Sequence, residues 1–203
     1  MKVITSHMGN DFDSIASMVA ASKLYPDAIL SLSGSTSRTV RDFLRKFPRR
    51  WPIVTPRKIR KDEITQLIVV DTRSRSRIGP FATLLGKKDV IVHVYDHHPP
   101  SADDIDGELI VIDPIGATTT LLVEILFERQ IPITPQEATL FAMGIYEDTG
   151  GLTFGGTTER DFAAISRLKE IGADLTIIPS HIEMSFSSSV VLCGFRIFLQ
   201  CFM

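Results

Sequence analysis

Short apolar runs alternate along the chain with longer segments whose apolar residues recur at helical spacing. Five runs have the length and β-branched content of buried strands: 2–6, 28–32, 66–70, 89–95 and 108–112. Six segments have helical periodicity: 14–24, 35–47, 78–85, 117–129, 135–146 and 157–171. Strands that alternate with helices are typical of parallel sheets with right-handed crossovers. The pattern predicts an α/β fold: a doubly wound, mainly parallel five-stranded sheet with helices on both faces.

The alternation continues to about residue 183, and we predict that residues 1–183 form one domain. Beyond it, residues 185–189 are rich in serine, and residues 190–203 are apolar with a single charge, Arg196. We expect residues 184–203 to be a tail, either the stub of a linker or an artefact, rather than a final buried helix or strand. A hydrophobic content of 44% in 203 residues is enough for the core of one domain.

Composition argues against several classes of protein. A net charge of -2 argues against a wholly basic nucleic-acid binder, although it leaves local basic patches open. The two cysteines, Cys193 and Cys201, form no disulfide framework, which fits a reducing compartment. The N-terminal apolar run is too short for a signal-peptide core, and no run is long enough to span a bilayer. We therefore predict a cytoplasmic protein with no membrane partner.

Acidic and imidazole side chains follow several of the predicted strands. They are His7, Asp11 and Asp13 after the first strand, Asp71 after the third, and Asp96, His97 and His98 after the fourth. Asp148 follows a predicted helix. The carboxyl ends of parallel strands meet at one edge of a sheet, so these groups are expected to converge. Each has an ordinary alternative when taken alone, since Asp13 or Ser14 could cap the first helix.

So many carboxylates cannot stay ionised in one crevice without cations, because each raises the pKa of its neighbours. Ligands that are all oxygen suit Mg²⁺ or Ca²⁺, whereas mixed imidazole and carboxylate ligands favour Mn²⁺, with Fe²⁺, Co²⁺ or Zn²⁺ as alternatives. The number of acids suggests two ions. Paired ions about 3.5–4 Å apart recur in sites that displace an oxygen at phosphorus.

Four motifs in order resemble those of the DHH phosphoesterase family, which is named for the triplet present here at residues 96–98. The first motif is the histidine and spaced aspartates of residues 7–17, and the second is the apolar strand ending in aspartate at residues 68–72. The last is the apolar helix ending in aspartate and threonine at residues 144–150, and residues 116–119 resemble the helix start that follows the triplet. The resemblance covers roughly residues 1–180.

The resemblance implies a role for each polar group. His7 and Asp11 would bind a first metal; Asp13, His97 and Asp148 would bind a second; Asp71 would bridge the two. His98 would face the substrate, and Asp96 would orient the neighbouring imidazoles. The expected cofactor is Mn²⁺, as two ions, with Mg²⁺ or Co²⁺ as alternatives. Arg73 is our own candidate for a phosphate contact, and its alternative is a solvated arginine.

Two functions remain open. The first is a phosphoesterase domain that hydrolyses a phosphodiester or phosphoanhydride, with a nucleotide or short single-stranded nucleic acid as partner. A segment at 38–61 with ten Lys or Arg and one acid favours such a partner, and we expect Phe43, Phe47 and Trp51 to be available for stacking. The alternative is a nucleic-acid-binding module with little activity of its own.

The resemblance also bears on the protein around this chain. Family members normally continue into a second domain that grips the substrate, and nothing here resembles it. Residues 43–53 are similar to members that precede nucleotidyltransferase domains acting on RNA ends, of the tRNA nucleotidyltransferase or poly(A) polymerase kind. We therefore expect a C-terminal domain to be missing, and the activity of the isolated domain to be weak without it.

Overall fold

The computed structural model describes residues 1–46 and 51–180. One sheet contains five strands: β1 Lys2–Thr5, β2 Ala28–Leu30, β3 Gln66–Val70, β4 Ile91–Asp96 and β5 Leu109–Ile112. Their order is β2-β1-β3-β4-β5, and every neighbouring pair is parallel. The predicted α/β class is confirmed. In this strand order ligands bind at the carboxyl ends of the strands, where β1 and β3 lie side by side and the order reverses.

The helices pack mainly on one face of the sheet. They are α1 Phe12–Leu24, α2 Arg38–Lys46, α3 Thr118–Glu128, α4 Pro135–Asp148 and α5 Glu159–Ile171. Ile4 and Ile68 of the sheet belong to the same hydrophobic cluster as these helices. Successive strand residues point to opposite faces, so Val3 and Leu67 pack on the other side, against Phe81. None of the helices in the described residues is long and apolar enough to cross a membrane.

The second face of the sheet is covered by short 3₁₀ segments, and here the structure differs from the prediction. The helix expected at 78–85 is a 3₁₀ helix, Arg75–Leu84, that is interrupted at Gly79, where φ is 52° and ψ is -126°. Pro80 follows and has no N–H to continue a helical ladder. The Gly79-Pro80 pair therefore breaks a segment that looks continuous in its apolar spacing.

Helix α1 begins earlier than predicted, and neither Asp13 nor Ser14 is its N-cap. Asp11 is the N-cap: its Oδ1 accepts the Ser14 N–H at 2.9 Å, and its own N–H donates to Ser14 Oγ at 3.0 Å. Asp13 lies in the first turn of α1 and is fully buried. Asp13, which the sequence suggested as a helix cap, does not cap α1, and its carboxylate is therefore available at the edge of the sheet.

Gly144 allows α4 to lie close to α1. A Cβ at this position would be 2.8 Å from the Ala16 Cβ and 3.1 Å from the Asp13 Cα. The close approach matters because Asp13 lies in the first turn of α1 and Asp148 ends α4. The predicted tail at 184–203 lies outside the described residues.

Candidate metal centre

The polar residues predicted at the strand ends come together at the carboxyl edge of the sheet. Their donor atoms form three groups, within each of which the atoms lie within 4.8 Å of one another: His7, Asp11 and Asp71; Asp13, His97 and Asp148; Asp71, His97 and His98. Asp71 and His97 each belong to two groups, so the three groups form one continuous centre. All six predicted metal ligands are included.

The first group lies between β1 and β3. His7 Nε2 is 3.1 Å from Asp71 Oδ2 and 3.4 Å from Asp11 Oδ2. His7 and Asp71 are buried, whereas the Asp11 side chain is 37% exposed and gives the group an open side. Burial alone would raise the pKa of Asp11, but the hydrogen bond and charge of His7 outweigh it and lower that pKa.

Asp71 is held in an unusual backbone conformation. Its φ is 58°, in the left-handed region that Asp and Asn tolerate better than most residues. Its Oδ2 faces His7, while its Oδ1 accepts the Thr118 hydroxyl at 3.2 Å and lies 3.8 Å from His97 Nε2. Burial, followed by the charge of Asp13, raises the pKa of Asp71 well above its usual value. One strained acid therefore presents an oxygen to each side of the centre.

The second group is organised by His97. Its Nδ1 lies 2.9 Å from the Ile115 carbonyl, an acceptor that keeps a proton on Nδ1. Nε2 is 2.9 Å from Asp148 Oδ2, with which it forms an ion pair when the ring is protonated. In the neutral ring, Nε2 carries the lone pair, which has no hydrogen-bond donor facing it among the described residues. This is the arrangement of a histidine that binds a metal.

Asp13 is held by the N-terminus of α3. Its Oδ2 and Oδ1 accept the backbone N–H groups of Thr118 and Thr119, each at 2.9 Å, which favours a carboxylate. Burial, followed by the charge of Asp148, nevertheless raises the pKa of Asp13 to about 6. The sequence singled out this helix start as a motif, but it did not show that its amides would bind Asp13.

The electrostatics of the centre fit divalent cations. Burial would lower the pKa of His97, but Asp148 and Asp13 outweigh it and raise that pKa to about 10. The carboxylates around His97 therefore attract a positive charge, which a proton or a metal ion can supply. Carboxylates crowded together at raised pKa, with an unpartnered imidazole nitrogen among them, are a donor set suited to Mn²⁺ and similar ions.

His98 and Asp96 form a pair beside the centre. His98 Nδ1 lies 2.7 Å from Asp96 Oδ1, so the proton of a neutral ring resides on Nδ1 and leaves Nε2 unprotonated. Asp96 is fully buried, and its Oδ2 has no partner in the part of the chain that the structure describes. The His98 side chain is 39% exposed and is accessible from the crevice.

Arg73 lies just past Asp71 and is only 20% exposed, so the alternative of a solvated arginine is wrong. Its Nη2 forms an ion pair with Asp104 Oδ2, while its buried Nε has no hydrogen-bond partner among the described residues. The structure shows no contact between Arg73 and the donor groups. A phosphate contact by Arg73 stays a prediction, and it would have to coexist with the Asp104 ion pair.

Glu147 was missed as a residue of this centre. Helix α4 extends to Asp148, two residues beyond the prediction, so Glu147 lies on the helix instead of in a turn. Its Oε2 accepts the N–H of Phe12 at the start of α1. Burial, with the charge of Asp11 added, raises the pKa of Glu147 to about 7. Its position directly before Asp148 was the only signal in the sequence.

The basic segment at 38–61 is only partly as expected. Arg38 and Arg45 of α2 are well exposed, with side chains 89% and 78% accessible. Phe43, however, is buried, packs edge-on against Phe12 and stacks on Trp51. Phe43 is therefore part of the core and is not available for stacking on a base. Phe47 lies outside the described residues.

An all-parallel sheet with carboxylates and imidazoles beside its reversal point defines an α/β protein with a candidate divalent metal centre. Residues 2–145 match the model of the DHH family, N-terminal domain. The chain belongs to the DHH family, as its motifs suggested.

Three relatives indicate the range of proteins that contain similar chains. An A-adding tRNA nucleotidyltransferase of Geobacter sulfurreducens is 45% identical over 94% of this chain and 22% of its own length. A manganese-dependent inorganic pyrophosphatase of Methanocaldococcus jannaschii is 25% identical over 94% of this chain and 62% of its own length. A "probable bifunctional oligoribonuclease and PAP phosphatase" of Streptococcus mutans is 25% identical over 89% of this chain and 56% of its own length. The chain thus spans about a fifth of the first relative and little more than half of the others.

Proposed function

We propose that this chain is a divalent-metal-dependent phosphoesterase domain with a two-metal centre, and that it hydrolyses a phosphodiester or phosphoanhydride. The observation that carries the proposal is that Asp71 shares one donor group with His7 and another with His97. When bound, two ions about 3.5–4 Å apart would activate a water molecule and neutralise the charge of the phosphoryl group.

The ligand assignment follows the donor groups. The first ion would be held by His7 and Asp11, the second by Asp13, His97 and Asp148, and Asp71 would contact both. Mixed imidazole and carboxylate donors favour Mn²⁺, and the manganese dependence of the pyrophosphatase relative supports that choice. Mg²⁺ and Co²⁺ are the alternatives.

His98 and Asp96 would act on the substrate side of the centre. Asp96 accepts the Nδ1 proton of His98, so Nε2 would face the substrate and, when the ring is protonated, would donate a hydrogen bond or a proton to a substrate oxygen. Asp96 is thus a positioning residue, and His98 a catalytic one. Arg73, through its unpartnered Nε, would contact a phosphate oxygen next to the centre.

The substrate we propose is a nucleotide or a short single-stranded oligonucleotide. The exposed arginines of α2 support it, as do the tRNA nucleotidyltransferase and the oligoribonuclease among the relatives. All three relatives are longer than this chain, which supports a missing second domain that would complete substrate binding.

The test is Mn²⁺-dependent hydrolysis of pyrophosphate, a short oligoribonucleotide and a small generic phosphodiester. Asp71→Asn keeps the side-chain shape, and asparagine tolerates the left-handed backbone, so we expect this variant to fold. We expect kcat/KM to fall by more than about 100-fold, because changes outside the ligand shell already cost about 10–100-fold. The matched control is Asp27→Asn, at an exposed acid in the turn before β2, and it should retain activity. Equal activity of Asp71→Asn and the native chain would refute the proposal.

The second candidate is a nucleic-acid-binding module that serves a nucleotidyltransferase partner. It is favoured by the exposed arginines of α2 and by the 45% identity to a tRNA nucleotidyltransferase. Under this alternative, RNA binding weakens steeply with salt and is unchanged in Asp71→Asn, and no substrate releases phosphate.

A further inference from the structure

Phe154 is a large apolar side chain left exposed in the loop that follows helix α4 and Asp148. The residue is 59% exposed to solvent, and this exposed fraction is among the highest for a large hydrophobic residue in the described part of the chain. The ring lies against Gly150, where a Cβ would overlap it. Gly150 is two residues beyond Asp148, a proposed metal ligand, so the ring packs on the segment that directly follows that ligand.

The loop that carries Phe154 is held rigidly. Thr149 organises it: its carbonyl accepts the N–H groups of Thr153 and Phe154, each at 3.0 Å, and its hydroxyl accepts the Leu152 N–H at 3.0 Å. The Thr149 hydroxyl in turn donates to the Ile145 carbonyl in α4. The ring is therefore fixed relative to the end of α4 and to Asp148, instead of being carried on a free loop.

The same loop contains backbone strain. Gly150, Gly151 and Leu152 have φ values of 56°, 71° and 67° in succession. Leucine is disfavoured in this region, and strain of this kind persists where the surrounding structure over-determines it, often at functional sites. Leu152 packs on the main hydrophobic cluster and anchors the turn. The turn thus keeps one apolar residue inside while it presents the next aromatic one to solvent.

We infer that Phe154 is a stacking platform for a nucleobase of the substrate whose phosphate lies at the metal centre. The inference rests on the proposed phosphoesterase function and specifies its substrate class. A planar, rigid and exposed ring beside a phosphate site suits a base, because every base has a π-face and stacking on an aromatic side chain tolerates any sequence. Phe154 therefore distinguishes nucleotides from pyrophosphate and other base-free phosphates.

The kinetic test compares a dinucleotide with its abasic analogue, which has the same phosphodiester and no bases. For Phe154→Ala we expect the KM for the dinucleotide to rise about tenfold more than the KM for the abasic analogue. Phe154→Tyr should restore most of the difference, because it restores the ring. Phe162→Ala is the matched control, since it removes a similarly exposed ring from α5, and it should change neither KM.

A binding test separates this inference from the proposed function. The fluorescence of Phe154→Trp, measured against the native chain with its Trp51, should be quenched by 5′-AMP but not by ribose 5-phosphate, whether or not any substrate turns over. Quenching without hydrolysis would support the base site and refute the enzyme. Hydrolysis with equal KM ratios in Phe154→Ala and the native chain, and no selective quenching, would overturn the base site alone and leave the ring as a contact for another part of the longer protein.

Discussion

Asp96 is the residue that we propose acts on the reaction only through its neighbour His98. It is fully buried, and one of its oxygens holds the Nδ1 proton of His98. The exposed imidazole would otherwise be free to exchange tautomers and to rotate. The hydrogen bond to His98 offsets part of the cost of burying Asp96, and it also fixes the orientation of the neighbouring ring.

The corresponding prediction concerns Asp96→Asn. The amide cannot accept the Nδ1 proton as strongly, so we expect kcat to fall about 10–100-fold while Mn²⁺ affinity changes little. Steady-state kinetics of Asp96→Asn, of His98→Ala and of the double variant, with Mn²⁺ binding measured in parallel, checks this: the Asp96 substitution should cost little further rate once His98 is removed. Full additivity of the two losses, or a loss of Mn²⁺ affinity equal to the loss of rate, would show that Asp96 does not act through His98.

At the level of single residues, the sequence predicted which polar side chains lie together, but not the groups that hold them in place. The prediction that Asp13, Asp71 and His97 belong to the site rested on their position after apolar strands. The amides of Thr118 and Thr119 that hold Asp13 did not follow, because backbone donors leave no mark in composition. Phe43 was predicted to be available for stacking because it lies in a basic segment, but it is on the side of α2 that packs into the core.

Helices α1 and α4 place the ends of the centre relative to each other. Asp13 lies in the first turn of α1 and Asp148 ends α4, and Gly144 sets how closely the two helices pack. The strands were predictable from apolar runs, since a parallel sheet buries both faces. The start of α1 and the break at Gly79 were not, because both depend on local capping and on one Gly-Pro pair.

Gly144→Ala tests this role of helix packing. The added methyl group would push α4 away from Ala16 and Asp13, so we expect the free energy of unfolding to fall by about 1–3 kcal/mol. Mn²⁺ affinity should fall as well, because Asp148 moves away from Asp13. Urea unfolding and Mn²⁺ titration measure the two effects. Gly155→Ala is the control, since a Cβ there meets nothing within 4 Å, and if it were as destabilising as Gly144→Ala the packing explanation would be wrong.

The charge of the whole centre should make the stability of the domain depend on pH and metal together. Folding raises the pKa of Asp13 from 3.8 to about 6 and that of Glu147 from 4.5 to about 7. The folded chain therefore binds more protons than the unfolded chain in this range, so without metal its stability falls as pH rises from about 4 to 7. The raised pKa of His97 acts in the same direction above pH 6.5.

Thermal unfolding with chelator or with Mn²⁺ tests this prediction. With chelator we expect Tm to fall between pH 5 and pH 8. Mn²⁺ at about 100 times the Kd of both sites should raise Tm by roughly 10–20 °C at pH 7.5, and by less at pH 5, where protons compete for the same groups. A Mn²⁺ effect that is equal at both pH values would show that the ions bind elsewhere.

The central claim is that Asp71 joins two metal sites, and counting bound Mn²⁺ by equilibrium dialysis tests it most directly. At pH 7.5 the native chain should bind two Mn²⁺ ions per molecule, and Asp71→Asn should weaken both, because the proposed bridging carboxylate loses its negative charge and keeps only one oxygen donor. Asp27→Asn should still bind two. Binding of a single ion by the native chain, of none, or of two ions with unchanged affinity in Asp71→Asn, would contradict the shared centre.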